Sequence, residues 1–197
     1  SEFYESERTM SFVNYAMELF FNMSKLESSH RDMLDSRHQL LPLWCRFFQH
    51  VEAPVADQHR SMPVYHLQYV LLILDNLIKS TTYPLEPFTI CSMNSHFLRH
   101  LEVLLKRYCL AADDHSGSIP PLKVLSLNVL QLFAQDRQTR KVLIESERTG
   151  ITTLVSFFCN YMSRKRSDLP NVDGVIESML TIFFTLTMTA EHLPVLI

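Results

Sequence analysis

A chain of 197 residues that is 47% apolar and 20% charged can bury a sizeable core and is too apolar for a disordered segment. Its formal net charge of −3 argues against a dedicated nucleic-acid binder, whose phosphate contacts need a basic excess. Only three glycines are present (Gly117, Gly150, Gly174) where average usage of roughly 7% gives about fourteen, which excludes phosphate-cradling glycine loops and folds with many tight hairpins.

From Glu7 to Leu26, Met10, Val13, Met17, Phe20 and Met23 keep helical spacing, and Phe12, Leu19 and Phe21 widen the apolar face. Ser28-Ser29 is expected to interrupt this helix. A short segment, His30 to Ser36, then leads to a helix over Gln39 to His50, with Pro42 in its first turn, where a missing N–H costs nothing. The polar stretch Glu52 to Pro63 holds two prolines and reads as a loop. Val64 to Ser80 is the most apolar helix. Leu67, Val70, Leu71, Leu74 and Leu77 form one stripe, and Leu72, Ile73 and Ile78 carry it nearly all the way round, as in a mostly buried helix.

Thr81 to Pro87 is a proline-bearing break, followed by a short piece to Met93 and a helix from about Asn94 to Leu110 with Phe97, Leu101, Leu104 and Leu105 inward. Ala112 to Pro120 is a polar loop. Pro120-Pro121 then restart a helix whose face is marked by Leu122, Leu125, Val129, Leu132 and Phe133. A short helix runs through Val142, Leu143 and Ile144, and Thr149-Gly150 breaks the chain before Ile151, Leu154, Val155 and Phe158. Ser163 to Pro170 is a basic, polar connection. Asp173 is placed to cap a last long helix through Val175, Met179, Ile182, Phe183 and Leu186, and Glu191 to Ile197 begin another. No alternating strand pattern exceeds a few residues, so the class is all-α.

The long helices repeat. Met23, Leu77, Leu132 and Leu186 stand near their ends, separated by 54, 55 and 54 residues, and each follows a polar residue. Between them recur a linker, a shorter helix (Gln39 to His50, Ser95 to Tyr108, Ile151 to Tyr161) and the next long helix. The alternative is an irregular helical bundle mediating oligomerisation.

Within this pattern, Asn128 to Phe158 resembles an armadillo repeat unit. In that family a long third helix ends in an Asn-Leu pair, a short helix follows, and Gly-Ile leads into a second helix rich in Leu and Val. Gln131-Leu132 stands for the pair, and Gly150-Ile151-Thr152-Thr153-Leu154-Val155 for the glycine break and second helix. Asn76-Leu77 and Asn22-Met23 match the pair more closely and lack the glycine. HEAT-type repeats remain an open alternative. The resemblance implies a right-handed superhelical stack of armadillo-like repeats over residues 1–197: three units of about 54 residues and the start of a fourth, as part of a longer eukaryotic chain. The tryptophan that builds the peptide groove of armadillo proteins, four residues before the asparagine, is replaced by Glu18, Leu72, Leu127 and Thr181.

No enzyme motif is found, and no cofactor or metal is expected. His96 and His100 have i,i+4 spacing near Cys91, without a strong fourth ligand. The four cysteines form no CxxC pair; Cys45, Cys109 and Cys159 lie in apolar helical runs, as small buried hydrophobes do, which points to the reducing cytoplasm or nucleus. The longest apolar run, Tyr69 to Leu74, is cut by Asp75, far short of the roughly 20 residues that span a bilayer. The expected function is a protein–protein interaction scaffold for a protein or peptide partner. Its concave-face candidates are Tyr15, Glu18, Asn22, Tyr69, Leu72, Asn76, Asn128, Gln131, Thr181 and Thr185, because equivalent positions of stacked helices line one surface. The apolar C-terminus, Leu196-Ile197, suggests self-association through that end. The alternative is a nucleic-acid-associated helical domain of a nuclear complex, using Arg137, Arg140, Lys141, Arg164, Lys165 and Arg166.

Overall fold

The computed structural model describes residues 7–51, 64–108, 120–145, 151–163 and 172–188. Among them are ten α-helices and two 3-10 turns, with no strand, so the class is all-α as the periodicity predicts. The chain divides into two compact units, residues 1–86 and 87–197, at the proline-bearing break.

In the first unit, α1 (Glu7–Ser24), α2 (Glu27–Leu34), α3 (Leu40–Phe47) and α4 (Val64–Ile78) follow in order. α1 packs on α4 and on α2, and α3 packs on α2 and α4. Met17, Met33, Trp44, Phe48, Leu71 and Leu74 are buried between them. Trp44 is fully enclosed and takes the Phe20 ring edge-on at 5.9 Å.

The expected break at Ser28-Ser29 is displaced. Both serines lie inside α2, and the chain turns at Lys25-Leu26. Two groups fix that turn. The Ser24 hydroxyl donates back to the Phe21 carbonyl at 2.7 Å, and buried His30 meets the last carbonyl of α1, Ser24 O, with Nε2 at 2.6 Å. A carbonyl can only accept, so Nε2 carries the proton. The glycine shortage has a visible cost at Gln39, which enters α3 with a left-handed φ of 55° after a 3-10 turn at Ser36–His38. A second 3-10 turn, Phe48–His50, prolongs α3. The expected loop from Glu52 to Pro63 lies outside the described residues.

The second unit holds α5 (Pro87–Met93), α6 (Phe97–Tyr108), α7 (Leu122–Gln135), α8 (Arg137–Glu145), α9 (Ile151–Met162) and α10 (Val172–Thr187). α7 is its core helix: nine of its fourteen residues are buried, and it packs on α5, α6, α8 and α10. Phe97 and Phe133, both fully buried, stack at 5.3 Å. Val129 and Phe133 are buried as expected, but Leu132 is only half-buried, and packing on several sides buries Leu127 and Leu130 as well. α10 begins at Val172, one residue before the expected cap Asp173. The expected loop Ala112 to Pro120 (apart from Pro120), the Thr149-Gly150 break and the helix from Glu191 lie outside the described residues.

The turn from α7 to α8 is set by one carboxylate. Asp136 Oδ2 accepts from the Thr139 N–H at 2.8 Å and stands 2.9 Å from the Thr139 hydroxyl, which also reaches the Phe133 carbonyl at 2.5 Å. This is an N-cap holding a helix start with a buried threonine. Asp136→Ala is expected to cost about 1–2 kcal/mol in urea unfolding, with Asp136→Asn losing less.

Candidate interaction surface

The geometry of the α1–α4 pair defines the surface in the first unit. Asn14 Oδ1 accepts from the Tyr65 hydroxyl and from His66 Nε2, both at 2.7 Å. Ten residues on, Asn76 Nδ2 donates to the Ser24 hydroxyl at 2.9 Å. Beyond the helix ends, Glu27 accepts from the Thr81 N–H at 3.1 Å, from the Thr81 hydroxyl at 2.8 Å and from the Thr82 hydroxyl. The partners keep a sequence separation of 51 to 55 residues along the whole contact. Antiparallel helices would change that separation by two for every residue advanced. α1 and α4 therefore run parallel, side by side, at the period read from the sequence.

Two residues of this contact, His66 and Glu27, set the unit's expected acid response. Burial drives His66 down to about 4 from the usual 6.5, and the threonine bonds hold Glu27 down to about 2 from 4.5. The unfolded chain therefore binds protons more readily than the folded one in both windows. His66 stabilises fully above pH 6.5 and loses this as pH falls to 4; Glu27 stabilises above 4.5 and loses it as pH falls through 2. Tm measured against pH should fall between pH 6.5 and 4, and His66→Gln should flatten that segment. An unchanged slope in the variant would contradict the assignment.

Of the sequence-predicted residues, Tyr15, Glu18 and Asn22 are exposed on α1, and Tyr69, Leu72 and Asn76 are half-buried on α4. Tyr69 meets the Phe21 ring at 5.6 Å, and its phenol is pushed up first by burial and then by the Glu18 carboxylate. Asn76 is tied to Ser24, so it joins the two helices. Asn22 Oδ1 accepts from Lys25, whose ammonium sits 3.9 Å from the Phe21 ring centre. In the second unit, Asn128 and Gln131 are half-buried on α7, and Thr181 and Thr185 are half-buried on the adjoining α10. Each of these threonines donates to the carbonyl four residues back, at 2.8 Å.

The basic candidates are divided. Arg137, Arg140 and Lys141 lie on α8, where the Arg140 guanidinium donates to the Gln135 carbonyl at 3.0 Å; Arg164, Lys165 and Arg166 lie outside the described residues. Among the described residues no group of three His, Cys, Asp or Glu side chains is arranged to hold a metal ion. His96 and His100 stand 6.3 Å apart, ring centre to ring centre, the first exposed and the second buried. Cys45 is buried, and burial pushes its thiol up to about 11. Cys159, expected inside, is exposed, because α9 turns Leu154, Phe157 and Tyr161 inward; Cys109 lies outside the described residues.

The sequence reading placed Tyr15 on the surface but missed the other exposed apolar residues. Phe12, Tyr15, Leu19 and Leu26 form a bare stripe on α1 and its end, and Leu180, Phe184 and Met188 form another along α10. The signal was present as helices apolar over more of their circumference than one neighbour covers. No described helix is long and apolar enough to cross a membrane. Comparison with protein-family models, with curated proteins and with solved structures gave no match.

Proposed function

We propose that the protein is a non-enzymatic protein–protein interaction scaffold, a right-handed superhelical stack of armadillo-like repeats that binds a partner segment on its helical surface. One observation carries the reading: helices equivalent by the 54-residue period pack on each other within each unit. α1 lies on α4, α7 on α10, and the shorter α6 on α9, with α1 and α4 parallel. Neighbour-on-neighbour packing of equivalent elements is the rule of helical solenoids. On the long helices, half-buried Leu72, Asn128, Gln131, Thr181 and Thr185 and exposed Glu18 offer apolar area beside amides and hydroxyls, as peptide recognition requires. A cytoplasmic or nuclear location fits this role.

Affinity capture with identification of the bound proteins tests it. Glu18→Lys with Leu72→Ala in one bait, and Asn128→Asp with Gln131→Glu in another, should each release partners held by the wild-type chain while circular dichroism stays unchanged. Retention of every partner by both baits would overturn the reading. Steeply salt-dependent binding to DNA or RNA that is lost in Arg137→Ala/Lys141→Ala would overturn it in favour of a nucleic-acid role.

A further inference from the structure

By the 54-residue period, the bare stripes on α1 and α10 correspond to the two sides of the contact between α4 and α1. α4 lies on α1 through Tyr65, His66, Tyr69 and Asn76. One period of 54 residues earlier, the last three of these positions are Phe12, Tyr15 and Asn22 on α1. The tyrosine and asparagine recur unchanged. Phe12 and Tyr15 are 70% and 73% exposed, and Asn22 is exposed. Asn22 Oδ1 already accepts from Lys25, so its free valence is that of a donor, the role Asn76 plays toward Ser24.

The receiving half is equally specific. α4 is taken up on α1 by Phe21 and Ser24, next to Met17 one turn earlier. Three periods later stand Phe184, Thr187 and Leu180 on α10. Phe184 is 63% exposed and Leu180 53% exposed. Even the local bond recurs: Ser24 donates to the Phe21 carbonyl at 2.7 Å, and Thr187 donates to the Phe184 carbonyl at 3.0 Å. In both, the hydroxyl spends its proton inside the helix and keeps its lone pairs to accept from an amide.

We propose that α1 of one copy docks on α10 of a second copy, in the arrangement α4 holds on α1. Tyr15 packs on Phe184, and the Asn22 amide donates to the Thr187 hydroxyl. The two surfaces differ, so the contact is head-to-tail and leaves one free end of each kind, which elongates the assembly unless its rotation closes a ring. The inference rests on the repeat register of the proposed scaffold and not on partner binding along its surface, so capture experiments and assembly experiments can fail separately.

Sedimentation velocity of the 197-residue chain over a wide concentration range is the test. The average mass should rise past two chains. Tyr15→Glu and Phe184→Glu should each be monomeric alone, with unchanged helix content and Tm since both side chains are exposed. Mixed in equal amounts, they should form a species of two chains and nothing larger, because each keeps the end that the other lacks. Thr187→Val, which introduces no charge, should weaken assembly roughly three- to tenfold. A wild-type chain that stays monomeric throughout would overturn the proposal and leave the stripes to another protein or to other residues of the chain. Assembly of either single variant by itself, or no complementation between them, would overturn it in favour of like-on-like contacts or none.

Discussion

Trp44→Ala is expected to lower the stability of residues 1–86 by about 3–5 kcal/mol, the range for emptying an aromatic site in a packed core. Trp44 is the largest fully enclosed side chain of that unit, presented by α3 and met edge-on by Phe20 of α1. Removing it opens a void between helices that are held by their side chains and have no sheet to bind them. A loss of this size is comparable to the whole stability of a small domain. Hydrogen exchange resolved along the chain should show protection falling in α1, α3 and α4. Trp44→Phe, which keeps a ring against Phe20, should lose less. Wild-type protection in Trp44→Ala would mean that Trp44 does not hold these helices together.

The second large effect separates two adjacent residues. Phe133→Asp is expected to unfold residues 87–197, because it removes a stacked aromatic worth about 3–5 kcal/mol and leaves a carboxylate without a partner in an apolar site. Leu132→Asp is expected to cost only about 1–2 kcal/mol, since Leu132 is half-buried at the edge of α7. Urea denaturation of the two variants reads the difference. If Leu132→Asp proved the more damaging, the rotation of α7 about its axis would be wrong.

The contrast shows what the sequence could disclose. Helix positions were legible because prolines and polar clusters mark the breaks and the apolar spacing is strong, as at Thr81–Pro87 before α5. Facing was less legible. A helix packed on several sides, such as α7, buries Lys123 and Ser126 beside its leucines, and periodicity alone assigns a lysine to solvent. The Ser28-Ser29 break failed because serine is tolerated inside a helix, while the turn at Lys25-Leu26 depends on His30 reaching Ser24 O, a bond between residues six apart that composition does not encode.

Of the candidate surface, the sequence disclosed positions along each helix and not their contacts. The period sets Asn22 against Asn76 and Tyr15 against Tyr69 as equivalent positions, whereas the contacts join Asn76 to Ser24 and Tyr69 to Phe21. It could not show that Asn76 and Tyr69 are engaged by α1 while their counterparts stand bare. That difference depends on which helix has a neighbour, which the local sequence of a helix does not carry.

The parallel packing of α1 and α4 underlies both proposals, and pulsed electron paramagnetic resonance tests it most directly. In a chain with Cys45, Cys91, Cys109 and Cys159 replaced, spin labels are placed at Ser11 and Val64 in one sample and at Lys25 and Lys79 in another. These pairs lie near the two ends of α1 and α4. Parallel helices predict similar, short distances for both pairs. Distances longer by about one helix length, roughly 20 Å, would show antiparallel packing and contradict the repeat.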